Sequence, residues 1–147
     1  LNNMKYSEVR EVRTPNRGTE FSAGVDMYIP TGYDQKILPN QSALIPSGIK
    51  INIPNGTMLQ VCNKSGIAVK KGLLVGAEII DSDFQGEVFF NVWNVSDKAV
   101  SLSSGTKIVQ VVLVPILSQK WDKVPESELF ESVTQRGEGA LGSTGEY

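Results

Sequence analysis

Residues 73–90 have the sequence LLVGAEIIDSDFQGEVFF, in which two apolar runs flank a short polar segment. The runs are rich in β-branched and aromatic residues, whereas the segment between them holds residues typical of turns. The pattern predicts a β-hairpin, with one strand, a tight bend and a second strand. Asp81 ends the first run, so a rigid scaffold would hold its carboxylate half desolvated, as suits a general base. Alternatively, Asp81 and Asp83 are turn acids that bond to local backbone amides.

The same alternation of short strands and turns continues along the chain. Gly, Pro and Asn punctuate the sequence, which predicts an all-β sandwich or barrel without a helix. We expect the run at 87–95 to be buried on both sides, because apolar residues occupy both of its faces. The strand-like runs cover residues 4–12, 25–29, 43–45, 49–53, 58–62, 87–95, 99–102 and 107–114.

The strand pattern stops near residue 117. We therefore expect one β domain over residues 1–117 and a C-terminal arm over residues 118–147, with a single turn at 126–130. A segment of this length with little apolar content is disordered or folds on a partner.

Composition narrows the chemistry. The 147 residues include 14 basic and 16 acidic side chains, a net charge of −2, which predicts neither a nucleic-acid nor a membrane partner. Cys62 is the single cysteine, and an inert thiol of this kind fits a reducing cytosol. Histidine is absent, which excludes Ser-His-Asp catalysis and His-ligated zinc. Acid–base chemistry falls to carboxylates, lysine or water, and any metal would be a hard ion such as Mg²⁺.

The end of the arm, residues 136–145, reads RGEGALGSTG. Its glycines let backbone amides approach an anion, and Arg136, Ser143 and Thr144 add side-chain donors, so the segment is typical of a phosphate cradle. A Walker-type loop is excluded because its lysine is missing. A flexible linker is the alternative.

Three further positions are candidates. Lys64, Ser65 and Gly66 follow an apolar strand and form either a second phosphate contact or a plain turn. Asp26 and Gln110 lie inside apolar strands, where a buried hydrogen bond is the simpler explanation of each.

Five segments occur in an order that resembles the trimeric deoxyuridine triphosphatase (dUTPase) family, and the resemblance runs from about residue 14 to the C-terminus. They are AGVD at 23–26, KSG at 64–66, IDSDFQG at 80–86, GTKIVQ at 105–110, and RGEG at 136–139 with GSTG at 142–145.

The resemblance implies a β jelly roll that forms a homotrimer, with the glycine-rich arm closing over a neighbouring subunit's site. It implies Mg²⁺-dependent hydrolysis of dUTP to dUMP and pyrophosphate, by attack of water on the α-phosphorus. That reaction lowers dUTP and supplies dUMP for dTTP synthesis. The expected location is the cytoplasm, or the host cytoplasm if the source is viral.

The resemblance also implies roles for individual residues. Asp81 would orient and deprotonate the attacking water, and Asp26 would reach Mg²⁺ through water while the triphosphate holds the ion. Phosphate oxygens would be held by Lys64, Ser65, Gly66, Gln110, Arg136, Gly142, Ser143 and Thr144. Base and sugar would be contacted by Ala77, Glu78, Ile79, Ile80, Phe84, Phe89 and Leu141.

Four positions depart from the family pattern. Lys64 replaces an arginine and loses its bidentate fork. Phe84 replaces a tyrosine, whose ring packs on the deoxyribose, and Glu78 replaces a small residue. Leu141 replaces the aromatic that stacks on uracil.

Three alternatives remain at this point. A dCTP deaminase shares the fold but requires a glutamate where Asn91 stands. A non-catalytic nucleotide-binding regulator on the same fold would bind without hydrolysis. A structural jelly-roll protein would bind no nucleotide.

Overall fold

The computed structural model describes residues 3–142 and 145 of the chain, which divides into two compact units, Leu1–Leu117 and Ser118–Tyr147. The first unit is built from short strands, which confirms the predicted all-β class. The strands are β1 Lys5–Glu8, β2 Val25–Tyr28, β3 Gln35–Ile37, β4 Ser42–Pro46, β5 Ile49–Asn52, β6 Thr57–Asn63, β7 Leu73–Val75, β8 Ile79–Ile80, β9 Phe89–Asn94, β10 Val100–Leu102 and β11 Lys107–Pro115.

Every strand pair is antiparallel. The largest sheet has the order β2-β11-β6-β8, and a second sheet has the order β4-β9-β7. The pairs β1-β5 and β10-β3 complete the fold. Because β11 runs between β2 and β6, residues far apart in sequence meet along this one strand.

A single aliphatic core fills the first unit. It draws residues from both larger sheets and from the two strand pairs, and Phe90 is its one fully buried aromatic ring among the described residues. The buried apolar cluster comprises Met27, Ile29, Ile37, Ile45, Ile49, Ile53, Leu59, Val61, Leu73, Val88, Phe90, Val92, Leu102, Ile108, Val109 and Val111.

The expectation of no helix is wrong, because α1 spans Ser65–Lys71 between β6 and β7. Gly66, Ile67 and Val69 have modest helix propensity, so local pattern alone does not favour it. The helix ends at Gly72, which adopts the left-handed conformation (φ 67°) and donates its N–H to the Ala68 carbonyl. Lys70 and Lys71 complement the negative end of the helix dipole.

The predicted hairpin around Asp81 is also wrong in its pairing. The bend exists, since the Phe84 N–H donates to the Asp81 carbonyl at 3.1 Å. However, β8 before the bend pairs with β6, whereas β9 after it pairs with β4 and β7. The bend therefore carries the chain from one sheet to the other, and its two arms do not pair.

Burial of β9 on both faces is not observed in this chain. Phe90, Val92 and Asn94 are buried, but Phe89 and Trp93 on the opposite face are 41% and 43% exposed. Leu44 on β4 and Leu74 on β7 are exposed too. This sheet therefore presents an apolar outer face.

Asn94 is a buried polar residue that the sequence did not single out. Its side-chain amide nitrogen donates to the carbonyls of Ile37 at 2.9 Å and Lys98 at 2.8 Å. Its oxygen accepts from the N–H and the hydroxyl of Ser96. All of its hydrogen-bonding capacity is used, which joins the ends of β3 and β9 to the turn before β10.

The second unit contains a 3₁₀ turn at Glu126–Glu128, within the region where a single turn was predicted. Its described residues are exposed apart from Gly139, which is partly buried. Among the described residues, no helix has the length and apolar character needed to cross a membrane.

Replacement of Asn94 by Ala should lower the free energy of unfolding by about 3 kcal/mol, because buried carbonyls and donors lose their partners. The measurement is urea denaturation at one protein concentration. Asn55→Ala, in an exposed turn, is the matched control and should change stability by less than about 0.5 kcal/mol. Equal stability of the two variants would contradict a structural role for Asn94.

Candidate functional site

Three of the predicted site residues meet where β11 crosses the large sheet. Gln110 on β11 lies opposite Asp26 on β2 and opposite Cys62 on β6. Lys64 follows the end of β6 and precedes the first residue of α1. The sheet topology therefore brings together the first, second and fourth of the five motifs.

Asp26 is the centre of this cluster. Its side chain is only 4% exposed, and its two oxygens contact different lysines. The Lys64 Nζ lies 2.6 Å from Oδ1, and the Lys107 Nζ lies 3.5 Å from Oδ2. Two ammonium groups thus surround one buried carboxylate and leave the cluster with a net positive charge that suits a polyanion.

Lys107 reaches Asp26 because of an irregularity in β11. In a regular strand, residues three apart point to opposite faces, so Lys107 would point away from Gln110. The register between β11 and β2 shifts between Lys107 and Val109, which places Lys107 opposite Tyr28. Tyr28 is two residues from Asp26, so the bulge puts Lys107 on the face that carries Asp26 and Gln110.

Gln110 is held by its surroundings. Its Nε2 donates to the Asn63 carbonyl at 2.9 Å. A Cβ on Gly24 would lie 2.4 Å from the Gln110 Oε1, so only glycine leaves room for this side chain. Asn63 itself accepts from the Val75 N–H through Oδ1 at 2.9 Å. Sequence reasoning missed Asn63 and Lys107, although both lie within or beside the segments it selected.

Ser65 and Gly66 occupy the first turn of α1 and are exposed. The interpretation of this segment as a plain turn is therefore wrong, since Lys64 introduces a helix. Both residues lie beside Lys64 in sequence, which keeps them near the cluster.

Asp81 lies apart from the cluster. Ile80 is opposite Leu59 in the β8–β6 pair, so Asp81 continues beyond Ile80 in the direction away from Lys64. Because the pair is antiparallel, Asp81 is level with Met58, the residue before Leu59. Met58 and Lys64 are six residues apart, which is about 20 Å along the strand. Asp81 is exposed rather than half desolvated in this chain.

Phe84 closes the bend after Asp81, with its ring 41% exposed. The ring lies over Gly86, where an added Cβ would come within 2.8 Å of two ring carbons. Gly86 therefore allows the ring to fold back onto its own backbone while one side stays open.

The segment predicted to contact the base lies between β7 and β9 and includes β8. Ala77, Glu78 and Ile79 are exposed and Ile80 is partly buried. The Glu78 carbonyl accepts from the Val61 N–H at 2.7 Å, which anchors the segment to β6. Burial, with a smaller effect of the Glu78 charge, raises the pKa of the Cys62 thiol, which keeps it protonated and unreactive.

Asn91 underlies the start of this segment. Its Oδ1 accepts from the Trp93 indole N–H at 3.0 Å, and its carbonyl accepts from the Gly76 N–H at 2.9 Å. A Cβ on Gly76 would overlap the Asn91 amide, at 1.9 Å from Oδ1. An amide used in this way does not supply the acid that a dCTP deaminase requires.

The predicted phosphate cradle lies in the second unit. The Arg136 Nε donates to the Gly139 carbonyl at 2.8 Å, and Gly137 and Gly142 have positive φ. Leu141 is fully exposed and has a φ of 40°, which is unusual for a branched side chain. Ser143 and Thr144 lie outside the described residues.

Comparison with known proteins places these residues in context. The dUTPase family model matches residues 10–145. The chain is 39% identical over 145 residues to the deoxyuridine 5'-triphosphate nucleotidohydrolase of Desulfotalea psychrophila, covering 95% of this chain and 94% of that protein. It is 36% identical over 141 residues to the protein of the same name from Hydrogenovibrio crunogenus, covering 94% and 90%.

A solved structure gives the same result for the fold. The dUTPase of Staphylococcus bacteriophage 80alpha, a G164S mutant with dUpNHpp, superimposes with a TM-score of 0.88 at 24% identity and 99% coverage of both chains. The fold agrees with the family match, and the relatives exceed one third identity over nearly the whole chain. The chain belongs to the dUTPase family.

Proposed function

We propose that this protein hydrolyses dUTP to dUMP and pyrophosphate by in-line attack of water on the α-phosphorus. The observation that carries the proposal is the convergence of Asp26, Lys64 and Gln110 at the crossing of β2, β11 and β6. Family membership and curated relatives named for this activity support it. In the cytoplasm, the reaction lowers dUTP and supplies dUMP for dTTP synthesis.

The cluster binds the triphosphate. Lys64 and Gln110 are each engaged by a group of this chain, Lys64 by Asp26 and Gln110 by the Asn63 carbonyl. Each retains further N–H groups, because an ammonium has three donors and a carboxamide nitrogen has two. Phosphate oxygens take these donors, and Ser65 and Gly66 in the first turn of α1 add a hydroxyl and a backbone amide.

The active site is shared between subunits. Asp81 is about 20 Å along the sheet from Lys64, too far for both to act on one triphosphate within a chain. A trimer in which the Asp81 bend of one subunit approaches the Lys64 cluster of another resolves this separation. The exposed apolar face of β4, β9 and β7 is consistent with such an assembly.

The arm completes the site. Several of its described apolar side chains are more than three quarters exposed in the single chain, among them Trp121, Phe130 and Val133. Such side chains favour packing on a partner over isolation in water. Arg136, Gly142, Ser143 and Thr144 then close over the phosphates of a neighbouring subunit's site.

Mg²⁺ is the metal that the residues fit. Among the described residues no cluster of three or more His, Cys, Asp or Glu side chains could form a metal cage. One carboxylate, Asp26, suits an ion that keeps most of its waters and is held mainly by phosphates. Asp26 would contact it through water, and the ion would neutralise charge on the triphosphate.

The base and sugar contact the Asp81 side of the shared site. Ala77, Glu78, Ile79, Ile80 and the backbone near Phe89 read the pyrimidine edge. The open side of the Phe84 ring packs on the deoxyribose, where a 2'-hydroxyl would not fit. Leu141 covers the base with an aliphatic side chain, which forgoes ring stacking of about 1–3 kcal/mol.

Catalysis in this site is electrostatic and positional. Asp81 orients one water and accepts its proton, while the ammonium and guanidinium groups stabilise charge on the phosphates. No covalent intermediate with the protein is formed.

Release of pyrophosphate from dUTP, dTTP, dCTP and UTP, with and without Mg²⁺, tests the proposal. We expect selective, Mg²⁺-dependent turnover of dUTP. Tight binding of dUTP without turnover would instead indicate a nucleotide-binding regulator, and absence of binding would indicate a structural protein.

Replacement of Asp81 by Asn should reduce kcat for dUTP by about 10²–10⁴-fold, because the amide cannot accept the proton of the attacking water. Binding of a non-hydrolysable dUTP analogue should be nearly unchanged, as measured by calorimetry. Asp83→Asn, two residues away in the same bend, is the matched control and should retain turnover. A fully active Asp81→Asn enzyme would refute the assigned role.

Deletion of residues 136–147 should abolish turnover without unfolding the protein, because the core lies entirely in the first unit. Pyrophosphate release and the thermal midpoint are the two measurements. A deletion variant that is insoluble, or one that hydrolyses dUTP at the wild-type rate, would contradict the proposed division of roles.

Mixing the Asp81→Asn protein with the 136–147 deletion variant under subunit exchange should restore activity. If Asp81 and the arm reach a site from two different neighbours, about a quarter of the sites in randomly mixed trimers contain both. Each variant exchanged with itself provides the baseline. Activity that stays at this baseline after exchange is verified by mass spectrometry would argue against shared sites.

A further inference from the structure

Asp26 has two cationic partners, although one ammonium would be enough to neutralise it. The closer one, Lys64, lies 2.6 Å from Oδ1 with its side chain 29% exposed. The second, Lys107, lies 3.5 Å from Oδ2 and is 48% exposed. The carboxylate itself is almost completely buried. The presence of the second lysine at this carboxylate therefore needs an explanation.

The two lysines lie in different backbone settings. Lys64 introduces α1, while Lys107 opens β11 at a bulge. Bulges commonly re-aim a side chain near an active site, and here the bulge turns Lys107 toward Asp26. A regular β11 would point Lys107 to the other face and leave Asp26 with Lys64 alone.

A buried carboxylate strongly holds its only cation. If Lys64 were the sole partner, moving it toward a phosphate would leave Asp26 charged and unpaired in a poorly solvated place, which is costly. A second ammonium on the other oxygen removes this cost, because Asp26 stays paired while Lys64 shifts.

We infer that Lys107 is a positioning residue that keeps Asp26 paired and in place, and so frees Lys64 to engage a phosphate. The inference rests on the proposed function, in which Lys64 binds the triphosphate. Lys107 itself contacts Asp26 and not the nucleotide. The sequence of events is an exchange of partners: Lys64 leaves Oδ1 for a phosphate oxygen, and Lys107 remains at Oδ2.

The test is the affinity of a non-hydrolysable dUTP analogue, measured by calorimetry in EDTA so that Mg²⁺ does not contribute. Lys107→Met keeps the length of the side chain and removes its charge. We expect Kd to rise about fivefold or more, because Lys64 is then retained by Asp26. Lys107→Arg should keep the wild-type Kd. Lys36→Met removes an exposed strand lysine elsewhere and controls for the loss of one positive charge.

Two double variants separate positioning from direct contact. In an Asp26→Asn background there is no carboxylate to retain Lys64, so Lys107→Met should cause no further loss of affinity. In a Lys64→Met background the ammonium that Asp26 would retain is absent, so Lys107→Met should again cause no further loss of affinity. If Lys107 bound phosphate directly, its loss would weaken binding equally in all three backgrounds, and the inference would be overturned.

A purely structural role gives a different pattern. It would lower the thermal midpoint of the free Lys107→Met protein and leave Kd unchanged, which would also overturn the inference. The same single and double variants form a double-mutant cycle, which can be repeated with inorganic tripolyphosphate as the ligand. This measurement separates the inference about Lys107 from the proposed function. Failure to hydrolyse dUTP would count against the proposed function alone. If Lys107→Met weakened tripolyphosphate binding equally in every background, that result would count against the role of Lys107.

Discussion

A buried carboxylate constrains this structure more than any other single group. Asp26 lies in the middle of a packed strand, where an unpaired charge would be strongly destabilising. Two ammonium groups converge on it from elsewhere in the chain. Lys64 arrives from the end of β6 and Lys107 from the start of β11, so the registers of three strands are tied to one side chain. The geometry that satisfies Asp26 also places Lys64 and Gln110 together, where we propose that they bind a triphosphate.

The ordered motifs allowed the family and the all-β class to be predicted, and they selected the candidate site residues. The spatial arrangement of these residues could not be predicted, because it depends on which strands are neighbours. Nothing in one sequence states that β11 lies between β2 and β6, which is what joins Gln110 to Asp26. Lys107 was not predicted for a simpler reason. The side-chain alternation of a regular strand assigns it to the wrong face, and a bulge cannot be recognised from the apolar pattern alone.

The errors in the prediction have a common physical origin. Helix α1 has weak local propensity and is fixed by its contacts and by Gly72 in the left-handed region. The hairpin failed because the turn signal around Asp81 is genuine, whereas strand pairing is a tertiary property. Phe89 and Trp93 were expected to be buried, and one chain leaves them exposed. Their apolar character is consistent with a surface that another copy covers.

The proposed shared site would link catalysis to assembly, because it would take Asp81 and the phosphate-binding cluster from different chains. In this proposal, the cluster around Lys64 and Gln110 would supply phosphate-binding groups, and the bend of another chain would supply Asp81 as the base. An isolated chain would therefore bind anions without hydrolysing them. The same separation explains why an exposed Asp81 is compatible with a catalytic role: its desolvation would come from the neighbouring subunit and the arm, at the moment when substrate is enclosed. In the proposed assembly, a base that becomes active only on closure would act on a nucleotide that the cluster already holds. This order would favour hydrolysis of the bound substrate over unproductive encounters.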